Sequence, residues 1–101
     1  MPHKIIETSE APQAIGPYSQ AIRAGEMSFL SGQIALDPTT GALIGEGDVA
    51  AQTVQVMTNL KAVIAAAGHA LTDIVKVTIF LKDLGDFGVV NALYAEALEG
   101  H

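Results

Sequence analysis

The chain has 101 residues, of which half are hydrophobic and 16% are charged, with a formal net charge of −6 and no cysteine. This composition excludes a disordered chain, disulfide bonds, thiolate nucleophiles and cysteine-ligated zinc. Only five lysine and arginine residues are present, and they are scattered, which argues against nucleic acid or an anionic membrane surface as a partner. No apolar run reaches the roughly 18 residues of a membrane span, and the N-terminus lacks the apolar core of a signal peptide. We therefore expect a cytoplasmic protein that forms one domain over residues 1–101.

The first half of the chain predicts short strands separated by turns. The predicted strands are 3–6, 18–24, 27–36 and, as a short return strand, 42–44. Gly25-Glu26 suits a hairpin turn between the second and third strands. The sequence Asp-Pro-Thr-Thr-Gly at 37–41 predicts a tight turn, because proline presets φ and glycine accepts a positive φ.

Two helices are predicted from apolar spacing and capping residues. Asp48 suits the N-cap of the first helix, and Gly68 suits the left-handed residue that closes it. Asp86 suits the N-cap of a second helix that runs to Glu99 and is closed by Gly100. The predicted buried faces are Ala50, Val54, Met57, Leu60, Ile64 and Ala67 in the first helix, and Phe87, Val90, Tyr94, Ala97 and Leu98 in the second.

Residues 74–81 form the clearest predicted strand, because side chains alternate between two faces. One face is uniformly apolar and is expected to meet the helices; it comprises Val75, Val77, Ile79 and Leu81. The other face is mixed, which is consistent with contact to another subunit. The element order is therefore β-β-β-α-β-α, an α+β fold with two helices packed on one face of a sheet.

Several segments, in order, resemble the RidA/YjgF family. The most specific is Gly16-Pro17-Tyr18-Ser19-Gln20. The other matching segments are Phe29-Leu30-Ser31-Gly32-Gln33-Ile34, Asp37-Pro38-Thr39-Thr40-Gly41, Asn59-Leu60-Lys61-Ala62-Val63, residues 73–83, and Asp86-Phe87 through Val90-Asn91 with Tyr94. Together they cover essentially the whole chain, and their shared order makes a chance match improbable.

The resemblance implies a homotrimer of chorismate-mutase-like subunits whose interface clefts bind small carboxylates. It implies hydrolysis of reactive 2-imino and 2-enamino acids to 2-oxo acids and ammonia, without a metal or organic cofactor. In the family, two further strands follow the second helix; one carries an arginine that binds the substrate carboxylate, and the last carries a glutamate associated with water activation. This sequence ends at His101, before either strand, and Arg23, its only arginine, lies on the second predicted strand. Catalytic residues are therefore left unassigned.

Four residues are candidate substrate contacts: Tyr18, Ser31, Gly32 and Asn91. The matching family tyrosine lines the cleft, and a phenol beside an apolar wall can hydrogen-bond an imine or water. A glycine within a strand permits close approach of a ligand, and the adjacent serine could bond a carboxylate. The structural alternatives are half-buried packing for Tyr18, a small pair accommodating a bulge for Ser31 and Gly32, and a solvent-facing helical residue for Asn91.

The sequence gives little support for metal binding or for serine catalysis. The histidines His3, His69 and His101 lack metal-ligand spacing and are expected at the surface. No local nucleophile motif supports serine catalysis. The missing arginine and glutamate keep two alternatives open: a non-catalytic trimeric protein that binds small carboxylates or acts as a regulatory or chaperone-like partner, and a truncated product with impaired function.

Overall fold

The computed structural model describes residues 3–98. Its strands are β1 (His3–Ile6), β2 (Ala21–Ala24) and β3 (Met27–Leu30), and its helices are α1 (Val49–Ala66) and α2 (Phe87–Ala97), with 3-10 turns at Leu71–Asp73 and Leu84–Asp86. The strands form an antiparallel sheet in the order β1-β2-β3. The predicted α+β fold class, with a sheet and two helices, is confirmed.

The inner face of the sheet packs against α1. Ile6 is paired with Ala21, which is paired with Leu30, so these side chains share one face. Val63 of α1 and Ala67, the residue that follows this helix, complete this core, and Val63 is fully buried. α2 packs against α1.

The outer sheet face consists of Ile5, Ile22 and Phe29, which are also in cross-strand register. These side chains are 61%, 37% and 61% exposed, respectively. A row of apolar side chains is therefore uncovered in the single subunit, on the side of the sheet opposite α1.

The predicted turns and the bounds of β1 are confirmed, but β2 and β3 are shorter than predicted. Gly25 has φ 65° in the hairpin, and Gly41 has φ 75° in the 37–41 turn. In that turn the Asp37 carboxylate accepts the backbone N–H groups of Thr39 and Thr40 at 2.7 and 3.1 Å. The return strand at 42–44 is reduced to one bridge, between Leu36 and Leu43.

The predicted bounds of α1 are confirmed by its caps. Asp48 accepts the N–H groups of Ala50 and Ala51, both at 3.1 Å, and Gly68 has φ 82° just past the helix. The predicted buried face is partly wrong, because Val54 is 53% exposed. Two polar residues are buried in addition to the expected apolar ones: Thr53 and Asn59.

The predicted cap of α2 is corrected by the structure. Asp86 precedes the helix, but its side chain makes no capping hydrogen bond. The Asp83 carboxylate instead accepts the N–H of Gly85 at 2.8 Å and caps the preceding 3-10 turn. Val90 and Leu98 are buried as predicted, whereas Phe87 is exposed. The predicted helix end at Glu99 and Gly100 lies outside the described residues.

The predicted strand at 74–81 is wrong for the described chain. It belongs to no ladder among residues 3–98. Val75 is 86% exposed and Ile79 is 45% exposed, so the set predicted to face the helices is only partly covered. Alternating apolar side chains indicate what a strand would bury, but a strand also requires pairing with a neighbouring strand, and residues 74–81 join no ladder of the described sheet.

Within residues 3–98, neither helix combines the length and apolar character that crossing a membrane requires.

Candidate functional site

Tyr18 lies where two adjacent surface depressions meet. The first is lined by segments 12–20 and 32–36, and the second by segments 17–22 and 29–31. Their cavity volumes are about 30 and 470 Å³, so the first has room for a water molecule or two and the second is within the size range of small-molecule sites. Gly32 lines the first depression and Ser31 lines the second. We call this composite feature the Tyr18 cleft.

The loop that carries Tyr18 is held by Gln20, which is only 3% exposed. The Gln20 amide donates to the carbonyls of Thr8, Ala11 and Pro12 at 3.0, 3.2 and 2.8 Å, and its Oε1 accepts the Thr8 N–H at 2.7 Å. The 7–20 segment makes no ladder hydrogen bonds, and the bonds of this one side chain connect its parts instead. It therefore fixes the backbone on one side of the cleft.

Ser31 is fixed by two bonds to the same loop. Its N–H donates to the Gln20 carbonyl at 3.0 Å, and its hydroxyl donates to the Ser19 carbonyl at 2.5 Å. Because a carbonyl only accepts, the Ser31 hydroxyl hydrogen is engaged and the oxygen is left as an acceptor. In this arrangement the Ser31 oxygen suits an N–H group or a water molecule as its partner better than the carboxylate that the sequence predicts.

Gly32 has no packing reason to be glycine. A Cβ built on it would meet nothing within 4 Å, and its φ is not in the left-handed region. The backbone N–H groups of Gly32 and Gln33 donate to no described residue. Gly32 thus leaves open space at the first depression, and the backbone N–H groups of Gly32 and Gln33 are available there as possible donors to a ligand.

The opposite wall of the first depression is supported from α1. Asn59 is fully buried, and its amide donates to the carbonyls of Ile34 and Leu36, both at 3.0 Å. Its Oδ1 accepts the Gln55 amide at 2.9 Å. The 32–36 segment, which the sequence predicts as the end of the third strand, is therefore held by a helix side chain.

The cleft has little charge of its own. Tyr18 is its only titratable lining residue in the described chain. The Arg23 guanidinium lines neither depression and donates to the carbonyls of Gly25 and Ala67 at 3.2 and 3.5 Å. Within residues 3–98, no group of three or more histidine, cysteine or acidic side chains could hold a metal ion.

The structure brings together three of the four predicted site residues: Tyr18, Ser31 and Gly32. Asn91 is exposed on α2 and lines neither depression. The sequence reasoning missed the two supporting amides, Gln20 and Asn59. The sequence did contain a signal for Asn59. It lies four positions before Val63 on an apolar helix face, and a polar side chain buried there requires hydrogen-bond partners.

The expectation of surface histidines is only partly correct. His3 is exposed, and His101 lies outside the described residues. His69, however, is partly buried and hydrogen-bonded to Ser28.

These features define a small α+β domain with a ligand-sized, weakly charged cleft between a loop and a sheet end. The model of the family described as endoribonuclease L-PSP matches residues 8–101. A 2-iminobutanoate/2-iminopropanoate deaminase from Salmonella typhimurium is 50% identical over 98 residues, which cover 97% of this chain and 75% of that protein.

Two solved structures share the architecture. A Rid family protein, YyfA from Yersinia pestis, superposes with a TM-score of 0.93 at 45% identity, covering 97% of this chain and 77% of that one. TdcF from E. coli, solved with bound serine, gives a TM-score of 0.90 at 45% identity, covering 97% and 76%. The chain belongs to the RidA/YjgF family and spans about three quarters of the length of these relatives.

Proposed function

We propose that the protein hydrolyses reactive 2-imino and 2-enamino acids to 2-oxo acids and ammonia in the Tyr18 cleft. The observation that carries the proposal is the position of Tyr18 between two kinds of hydrogen-bonding group. Gly32 and Gln33, whose N–H groups donate to no described residue, line the first depression, Ser31 lines the second, and Tyr18 lines both.

The chemistry of an imino acid matches this arrangement. Its carboxylate would accept from the Gly32 and Gln33 N–H groups, while its imine N–H would donate to Ser31. Water then adds to the imine carbon: its oxygen bonds to carbon, and its proton passes to nitrogen. The resulting carbinolamine loses ammonia and leaves a carbonyl, so imine plus water equals 2-oxo acid plus ammonia. Tyr18, as both donor and acceptor, would orient the water.

The relatives support the substrate class. The Salmonella relative is named for two imino acids, and the E. coli relative holds serine, a small carboxylate. Water addition to an imine requires no cofactor, and the net charge of −6 argues against a nucleic acid or membrane partner. We also propose a cytoplasmic homotrimer. Asn91 lies outside the cleft of its own subunit, so it would reach a ligand from a neighbouring one.

A second candidate is a non-catalytic protein of the same fold that binds small carboxylates. It is favoured by the absence of a cationic or acidic side chain from the cleft lining within residues 3–98. Backbone N–H groups can bind a carboxylate, but activation of water by a general base needs a group that accepts its proton.

The two functions separate in a coupled assay. Threonine dehydratase generates the imine from threonine, and the formation of 2-oxobutanoate is followed with and without the protein. The deaminase proposal predicts acceleration that falls about 10-fold or more in Tyr18→Phe and is retained in the control Tyr94→Phe. Calorimetric binding of 2-oxobutanoate without acceleration would favour the binding protein. Neither binding nor acceleration would contradict both.

A further inference from the structure

The side chains of Ser28, His69 and Asp73 form a connected series outside the Tyr18 cleft. Ser28 Oγ lies 2.8 Å from His69 Nε2, and His69 Nδ1 lies 3.7 Å from Asp73 Oδ2. None of the three lines either depression of the cleft. We propose that these three side chains form a second site, which catalyses acyl transfer and in which Ser28 is a nucleophile toward small activated carboxylic esters.

Three different elements hold these side chains in place. Ser28 is on β3, two residues before Leu30, and therefore on the inner sheet face. His69 follows the left-handed Gly68 at the end of α1, and its N–H donates to the Ile64 carbonyl at 3.1 Å. Asp73 lies in a 3-10 turn.

The Asp73 carboxylate is positioned by a backbone hydrogen bond in addition to its contact with the His69 imidazole. Asp73 Oδ2 accepts the Ala70 N–H at 2.8 Å. Because a serine–histidine–aspartate arrangement works through its geometry and not its chain order, its members can come from separate elements, as they do here.

The hydrogen-bonding roles follow from the order of the groups. A carboxylate beside Nδ1 favours the tautomer with hydrogen on Nδ1, which leaves Nε2 as the acceptor for the Ser28 hydroxyl. The 3.7 Å separation exceeds a hydrogen bond, and such contacts shorten when a substrate is bound. The side chains of His69 and Asp73 are 23% and 56% exposed, so a small reagent has access.

Positive charge lies beside the serine. Arg23 is the cross-strand partner of Ser28, and Lys4 is the partner of Arg23, so all three share the inner face. Paired residues have Cβ atoms about 5 Å apart. The Arg23 guanidinium donates to the carbonyls of Gly25 and Ala67, which bracket this end of the sheet and α1. These bonds use Nε and Nη1. The charge of the guanidinium would still stabilise the negative charge that develops on an ester carbonyl oxygen nearby.

The proposed step is balanced in atoms and protons. Ser28 Oγ bonds to the ester carbonyl carbon while its proton moves to His69 Nε2. The carbon–alkoxide bond then breaks, and the alkoxide leaves as an alcohol with that proton. Water attacks the acyl group in the same way, which releases the acid and restores Ser28. No oxidant or cofactor is required.

The competing interpretation is that the Ser28–His69 bond only ties the end of α1 to β3. A tether does not raise the reactivity of the serine, whereas a general base contributes about 10²- to 10⁴-fold. Reaction with diisopropyl fluorophosphate, followed by peptide mass mapping, therefore distinguishes the two. Ser9, an exposed turn serine without an imidazole partner, is the internal reference.

We expect Ser28 to be phosphorylated at least about 100-fold faster than Ser9. His69→Gln should abolish this advantage, and Asp73→Asn should reduce it about 10-fold or more. His3→Gln, which removes an exposed histidine on β1, should leave it unchanged. Hydrolysis of p-nitrophenyl acetate should be lost in Ser28→Ala.

Equal labelling of Ser28 and Ser9 in the unmodified protein would overturn the proposal, and this comparison needs no variant to fold. Rapid labelling of Ser28 that persists in a folded His69→Gln would overturn it equally. Either result would leave the contact as a structural tether.

Discussion

At the scale of single residues, the cleft combines positions that the fold requires with one that it does not. Ser31 is bonded through both its N–H and its hydroxyl, and Gln20 and Asn59 hold the two walls. Gly32 contributes neither a bond nor a turn conformation that requires glycine. We propose that its role is to leave space for a ligand.

Gly32→Ala should therefore weaken ligand binding without weakening the fold. The added methyl group has room in the empty protein and restricts the unfolded chain, so we expect stability to be unchanged or about 1 kcal/mol higher. We expect the affinity for 2-oxobutanoate, measured by calorimetry, to fall about 10-fold or more, because the methyl group occupies open space in the depression that we assign to the ligand.

Gly88→Ala is the matched control, since a Cβ there also meets nothing within 4 Å but the residue lies on α2. It should raise stability by about 1 kcal/mol and leave the affinity unchanged. Similar losses of affinity in both variants would contradict the assigned role of Gly32.

Asn59→Leu should be strongly destabilising although it is nearly isosteric. It leaves the carbonyls of Ile34 and Leu36 without their buried donor, which should cost about 3 kcal/mol in urea unfolding. Thr58→Ala, next to it on the exposed side of α1, should change stability by about 0.5 kcal/mol or less. A loss in Asn59→Leu no larger than that of the control would show that the 32–36 segment does not depend on this amide.

At the scale of elements, the bounds of α1 were more predictable than the extents of β2, β3 and the 74–81 segment. The bounds of α1 follow from Asp48 and Gly68, because a helix satisfies its backbone from neighbours in sequence. The 74–81 segment has a stronger alternating pattern than β2, yet it joins no ladder among the described residues. Strand formation depends on a partner distant in sequence, which a local pattern does not reveal.

The two helix caps provide a paired test. Asp48→Ala should cost about 1 kcal/mol in unfolding free energy, because the side chain accepts two N–H groups of the first turn. Asp86→Ala should cost at most a few tenths of that, since its carboxylate makes no capping bond. Urea titrations followed by circular dichroism give both values. Equal losses would mean that the Asp86 carboxylate caps α2 after all.

At the scale of the whole molecule, the outer sheet face is a largely exposed apolar surface, of which Ile22 and Phe29 also line the second depression of the Tyr18 cleft. Ile5, Ile22 and Phe29 form a row of exposed apolar side chains over three strands. Covering such a face is favourable by about 25 cal/mol per Å² of apolar surface removed from water. We expect it to be the contact surface of the proposed homotrimer.

Light scattering tests this surface. The unmodified protein should have three times the mass of one chain, and Phe29→Lys should shift it toward a single chain by placing a charge in the contact. Val54→Lys, at an equally uncovered position on α1, should remain trimeric. A monomeric unmodified protein would contradict the assignment.

The candidate site was predictable as far as its motif residues extend. The segments around Tyr18 and Ser31-Gly32 matched a family, and the structure places them side by side. The contact between Ser28 and His69 was not predictable, because 41 residues separate them and only the packing of α1 on the sheet joins them.

The central claim is that a small carboxylate binds at the backbone donors beside Tyr18. Titration of ¹⁵N-labelled protein with 2-oxobutanoate, followed by amide chemical shifts, tests it directly and does not depend on turnover. We predict that the Gly32 and Gln33 amides shift most and that the Ser28 and His69 amides stay in place. Saturable shifts elsewhere, with those of Gly32 and Gln33 unmoved, would contradict the account.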